Sequence, residues 1–143
     1  MGLILDSSVL ITAERGAQSV GKLLREIKAL TGPTEVMISA ITVIEVAHGI
    51  WRANTPELAE RRRVWLQEVF AAISVQPFTK EMGERAAKID AESRKTGLVI
   101  PFADLQIGVT ALELGYAIMT HNVRHFRMIP DLEVKQFSAR RRI

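Results

Sequence analysis

The chain contains no cysteine, so disulfides and thiolate metal sites are both excluded. A fold without covalent staples suits a reducing compartment, and the cytoplasm is the expected location. Long apolar runs are missing as well: no stretch approaches the roughly 20 residues that a membrane-spanning helix needs. The N-terminal segment Met1 to Asp6 has no basic residues, and its apolar run meets an acid too early for a secretory signal. No repeat, linker or low-complexity segment breaks the pattern, so residues 1–143 are expected to form one soluble domain. Neither sign of charge is in large excess. The 19 Lys and Arg against 16 Asp and Glu leave +3, a mild basicity that is compatible with a phosphate-bearing partner without requiring one.

What is present is a chain of 48% hydrophobic residues, enough for one ordinary core. The apolar pattern alternates between two periods. Gly2 to Leu5, Glu35 to Ile38, Ile73 to Phe78, Ala117 to Met119 and Val134 to Phe137 read as short strands. Between them lie helical spacings with stop and start signals. Ser7 and Ser8 stand where a cap would precede Val9, Leu10 and Ile11, and Gly16 ends that run. Val20 to Leu30 is closed by Gly32-Pro33, and Ser39 precedes Ile41 to Ile50. Pro56 opens a helix through Phe70. Thr79 caps one carrying Met82, Ala86 and Ile89 that stops at Gly97, and Pro101 opens one that ends at Gly115. Short strands joined through helices imply a mainly parallel sheet flanked by helices, an α/β fold, because parallel strands need crossover connections. Ligands bind such sheets at the carboxyl ends of the strands. Asp6, Ser39 and Thr120 fall there.

Three acids interrupt apolar sequence: Asp6 after Leu3-Ile4-Leu5, Glu45 within Ile41-Thr42-Val43-Ile44-Glu45-Val46, and Asp104 within Ile100-Pro101-Phe102-Ala103-Asp104-Leu105. An unpaired buried charge costs several kcal/mol, so acids in such surroundings are paired, neutralised or bound to a metal. Each also lies near a strand end or a helix start. Carboxylates without thiols or a histidine cluster favour hard cations, magnesium or manganese, whose natural chemistry is phosphodiester hydrolysis. The competing reading places these acids at helix ends, favoured by the macrodipole, with Glu45 facing solvent from an uneven helix.

Four segments then carry a family resemblance: Ile4-Leu5-Asp6-Ser7-Ser8-Val9-Leu10-Ile11, Ser39-Ala40-Ile41-Thr42-Val43-Ile44-Glu45, Pro101-Phe102-Ala103-Asp104-Leu105-Gln106-Ile107 and Thr120-His121-Asn122-Val123-Arg124-His125-Phe126. In content and order they resemble the signature regions of PIN-domain proteins of the VapC toxin type, whose fold is a three-layer α/β sandwich around a short-stranded sheet. The resemblance implies a Mg2+- or Mn2+-dependent endoribonuclease acting on tRNA or rRNA, neutralised by a VapB-type antitoxin and commonly a homodimer. It assigns Asp6, Glu45 and Asp104 as metal ligands, Ser8 as the small polar residue beside the first acid, and Asn122 as the fourth catalytic position. Many PIN proteins have Asp at that position. The amide here adds an oxygen but no charge. A non-cleaving PIN-like module that binds RNA or protein is the alternative, and the three retained acids argue against it.

Other features are assigned to structure. Glu45-Val46-Ala47-His48 has the spacing of one half of a di-iron motif whose second half is missing. His121 and His125 flank Asn122 as loop residues. Arg61-Arg62-Arg63 reads as a solvated helix face, with Glu57 and Glu60 spaced for ion pairs to Arg61 and Arg63. Arg140-Arg141-Arg142 reads as a basic tail. Trp51 and Trp65 belong to a core or a protein interface. An acid after a first strand also begins haloacid-dehalogenase phosphatases, but Ser8 stands where their second Asp would be. Response-regulator receivers are excluded by the lack of an adjacent acid pair.

Overall fold

The structure, a computed structural model, describes residues 1–138. In chain order the elements are β1 (Gly2–Leu5), α1 (Ser7–Arg15), α2 (Val20–Thr31), β2 (Glu35–Ser39), α3 (Ala40–Trp51), α4 (Pro56–Ala72), β3 (Ser74–Gln76), α5 (Lys80–Lys95), α6 (Phe102–Leu114), β4 (Ala117–Thr120), α7 (Val123–Phe126) and β5 (Val134–Gln136). The strands form one five-stranded sheet in the order β3-β2-β1-β4-β5, and every pairing is parallel. The expected α/β class therefore holds, with a sheet that is wholly rather than mainly parallel.

The pleat explains how so few strand residues organise two layers of helices. Successive side chains point to opposite faces, so Leu3 and Leu5 of β1 join one core while Ile4 joins the other. In β4 the same alternation sends Ala117 and Met119 one way and Ile118 the other. The first core is closed by α1, α2, α3 and α4 through residues such as Leu10, Leu23, Ile50 and Val69, and the second by α5, α6 and α7 through Met82, Leu105 and Phe126. All four residues of β1 are buried, as are all four of β4, which is why these strands read as continuous apolar runs.

Local signals set most boundaries. Ser39 accepts from the backbone N–H of Ile41, Thr55 from Leu58 and Thr79 from Met82, capping α3, α4 and α5. Gly32 and Gly115 end α2 and α6 at φ of 74° and 70°, a left-handed region that a residue with Cβ enters only under strain. Some expectations shift. The strand expected over Ile73 to Phe78 pairs only over Ser74–Gln76, Pro101 stands just before α6 rather than inside it, and α7 was not expected. Arg62 is not part of a solvated face: it is half-buried, donates to the Gly49 carbonyl at 2.7 Å and pairs with Glu14 at 3.5 Å, because α4 packs that side against α1 and α3. Arg63 does pair with Glu60 on the surface, at 2.6 Å. Trp65 is core and donates its indole N–H to the Gln18 carbonyl, whereas Trp51 is 81% exposed. The basic tail Arg140–Arg142 lies outside the described residues.

The order of strands fixes where a site forms. From β1 the chain moves outward to β2 and β3, then returns to the opposite side of β1 for β4 and β5. Chain paths diverge between β1 and β4, and the carboxyl ends of strands at such a point are where open parallel sheets bind ligands. Because Ile4 is fully buried in the central strand, Ile4→Ala should cost about 2–5 kcal/mol, measured as a lower urea midpoint. A loss below about 1 kcal/mol, the size of an average substitution, would mean that the strand is not the packing centre described here.

Candidate active site

Asp6 follows β1 directly, and its backbone N–H donates to the Met119 carbonyl at 2.9 Å, extending the β1–β4 ladder by one rung. That rung holds Asp6 just past the carboxyl end of β1, where the residue is only 3% exposed. Asp6 Oδ2 accepts from Ser8 Oγ at 2.8 Å and from Thr120 Oγ1 at 2.9 Å. These hydroxyls are supported in turn: Ser8 Oγ accepts from the His121 N–H at 3.2 Å, and Thr120 Oγ1 from the Asn122 N–H at 2.9 Å. Such chains polarise one another and pin the carboxylate without a counter-charge.

Ser7 stands between two acids. Its Oγ lies 3.1 Å from Glu45 Oε1 and 3.4 Å from Asp6 Oδ1, with a single proton to give. The two serines were expected to cap α1. Instead Asp6 occupies the cap position without a side-chain cap bond, and both hydroxyls are turned to carboxylates. Asp104 enters from the first turn of α6, where His125 Nδ1 of α7 lies 2.7 Å from its Oδ2.

The acids act on one another through their charge. Burial pushes the Glu45 carboxyl above the ordinary carboxylate value; the Ser7 hydroxyl opposes this, and the charges of Asp6 and Asp104 add to it. Asp104 is likewise raised, first by burial, with the His125 hydrogen bond opposing and the Asp6 charge adding. No Lys or Arg among the described residues forms an ion pair with any of the three. Nor, among the described residues, are three acids or histidines drawn together tightly enough to enclose an ion as the side chains stand. The donor set nonetheless has the chemistry of a hard-cation site: carboxylate oxygens held by hydroxyls and one histidine, with no Lys or Arg among the described residues answering them.

The sequence therefore located Asp6, Glu45, Asp104 and Ser8 at one edge. Asn122 is at that edge too, but through its backbone: its N–H joins the Thr120 hydroxyl while the residue itself is exposed. Thr120, Ser7 and His125 belong to the same network and carried no motif-level signal beyond their position at a strand end or beside a known acid. His48 is exposed on α3 and lines a cleft of about 290 Å3 beside Glu45, together with Glu14, Arg15, Arg52 and Arg62.

A parallel five-stranded sheet with carboxylates gathered at the β1–β4 divergence defines an acid-site α/β domain. The chain belongs to the PIN domain family, whose model matches residues 3–131. It is 32% identical to Ribonuclease VapC of Rickettsia bellii over 134 residues, covering 94% of this chain and 95% of that one. It is 30% identical to Ribonuclease VapC1 of Rickettsia felis over 140 residues, 98% of this chain and 99% of that one. Among solved structures, VapBC2 from Rickettsia felis bound to a DNA fragment from its promoter superposes with a TM-score of 0.84, covering 96% of this chain and 100% of that one; at 19% identity this likeness is one of fold.

Raised carboxyls give a stability signature. Glu45 and Asp104 hold protons more tightly in the native state than in the unfolded chain, so their favourable contribution is complete at low pH, below the ordinary carboxylate value. It is lost as pH rises through their raised folded-state range. Asp104→Asn removes one repelling charge and keeps an oxygen that can accept from His125. In EDTA near pH 7.5 the variant should melt no lower than the wild type, with any gain shrinking as pH falls through the carboxylate range. Excess manganese should stabilise the wild type more than the variant. A variant clearly less stable in EDTA would make Asp104 a structural partner instead.

Proposed function

We propose that the chain is a divalent-metal-dependent endoribonuclease, with Mg2+ or Mn2+ held by Asp6, Glu45 and Asp104, and that it acts in the cytoplasm as a toxin neutralised by a VapB-type antitoxin. The observation that carries this reading is that Asp6, Glu45 and Asp104 lie near enough at the carboxyl edge of the sheet for their charges to act on one another, with neutral hydroxyls and one histidine as their side-chain hydrogen-bond partners among the described residues. Similarity over nearly the full length to proteins named Ribonuclease VapC supports the reaction class, and the fold likeness to VapBC complexes supports the antitoxin.

A bound divalent ion supplies a Lewis acid that lowers the pKa of water and offsets charge on a phosphodiester. The chain's own residues do the rest. Ser8 and Thr120 fix Asp6 in one rotamer, so no ordering cost remains when its free oxygen is engaged. Ser7 screens Asp6 from Glu45. Asn122 joins the network through its backbone N–H to Thr120 and, as a neutral amide, adds nothing to the repulsion. Arg15, Arg52 and Arg62 line the cleft next to Glu45 and bring positive charge beside the acids, where an RNA backbone would be attracted. Exposed Ile44 and Trp51 on α3, 64% and 81% accessible, suit protein contacts with the antitoxin or a second copy of the chain.

Purified protein incubated with total RNA, tRNA and rRNA included, should cut it in Mg2+ or Mn2+ and not in excess EDTA, with end mapping locating the sites. Glu45→Gln should lower the rate by more than about 100-fold, beyond what loss of a supporting contact costs. Persistent cutting in EDTA removes the metal from the mechanism, and absence of cutting in either metal favours the binding-module alternative. Separately, expression of the chain should arrest growth, and the product of the adjacent small open reading frame should relieve the arrest and co-purify. Failure of both would remove the antitoxin from the account.

A further inference from the structure

The three acids are not equally well held. Asp6 accepts from Ser8 and Thr120, and the single Ser7 proton is shared between Glu45, at 3.1 Å, and Asp6, at 3.4 Å. Asp104 sits in the first turn of α6, which has no side-chain cap, and its carboxylate has one hydrogen-bond partner among the described residues, His125. An ionised carboxylate only accepts, so at 2.7 Å the His125 Nδ1–H donates to Oδ2 and the other oxygen stays open.

The packing beneath this pair makes the contact a built one. α7 is only four residues long and would not hold its place by itself. It is anchored by Phe126, fully buried against α6, and by Ile129 just beyond. Both reach the surface of α6 at Gly108, where a Cβ would collide with the terminal carbon of Ile129 and touch the Phe126 ring. The missing side chain lets α7 lie close enough to α6 for His125 to meet Asp104. His125 itself remains 39% exposed at its side chain, so it contributes little to the core.

We propose that His125 is a positioning residue: by occupying Oδ2 it fixes the orientation of Asp104 so that Oδ1 faces Asp6 and Glu45. The inference rests on the reading of these acids as a divalent-cation site. Groups that orient ligating carboxylates are worth about 10- to 100-fold in metal affinity. A positioning role thus predicts an effect on metal binding itself, before any substrate is present.

Three proteins test it: wild type, His125→Leu, which keeps volume without a donor, and His125→Asn, whose amide N–H can take the place of Nδ1–H. Manganese affinity is measured by calorimetry and by electron paramagnetic resonance of free Mn2+, alongside RNA cleavage and melting in EDTA. His125→Leu should bind Mn2+ about 10- to 100-fold more weakly while melting in EDTA close to the wild type, and His125→Asn should restore most of the affinity. At saturating Mn2+ much of the lost kcat should return in His125→Leu. Unchanged affinity with a lowered kcat that excess metal does not restore would overturn the proposal and make His125 a proton-transfer group. Equal affinity and equal rates in all three would overturn it in favour of a surface histidine without a role. A wild type that binds no Mn2+ would overturn the cation-site reading itself, and this proposal with it.

Discussion

Asp6 carries a carboxylate to a place where only 3% of the residue meets solvent, and it is kept there by hydroxyl groups rather than by a cation. Its position comes from the sheet: one backbone bond to Met119 fixes it over the point where β1 and β4 part. Two further acids face it, and burial together with their mutual charges raises Glu45 and Asp104 above the ordinary carboxylate range. That uncompensated negative charge is the constraint around which the rest is arranged. Ser7, the first residue of α1, stands between two acids, Thr120 and Ser8 are committed to Asp6, and α7 is packed against a glycine so that a histidine reaches Asp104.

The molecule tolerates this because the site and the cores occupy different places. Both hydrophobic clusters lie on the faces of the sheet and are filled by alternate residues of the same strands. The acids stand past the strand ends, at helix N-terminal turns where the macrodipole partly offsets their charge at Asp6 and Asp104. The competing reading of the sequence, that these acids are helix-end residues, is thus true in part for those two. Glu45 lies further inside α3, partly buried, and accepts from Ser7.

Much of this was legible in the residues. Fully buried strands announced themselves as apolar runs ended by an acid or a hydroxyl, and Ser39, Pro56, Thr79, Gly32 and Gly115 marked helix ends by local chemistry. What was not legible depended on partners distant in sequence. The serine pair after Asp6 has the look of a cap, and only the arrival of Glu45 from α3 shows where Ser7 is directed. Arg62 lies in a run of three arginines and looks solvated until α1 and α3 close over it. A helix of four residues has no periodicity to detect, so α7 and the His125–Asp104 contact were hidden, although Gly108 in the middle of an apolar helix was a trace of the close approach.

The central claim is that three carboxylates with no Lys or Arg ion-pair partner among the described residues form a divalent-cation site. Crystals grown without metal and soaked in manganese test it directly through the anomalous signal of the ion. The account predicts a peak over the carboxyl ends of β1 and β4, within coordination distance of oxygens from Asp6, Glu45 and Asp104, and its loss in Asp6→Asn. Manganese bound elsewhere on the surface, with the three acids unchanged and without density between them, would contradict it.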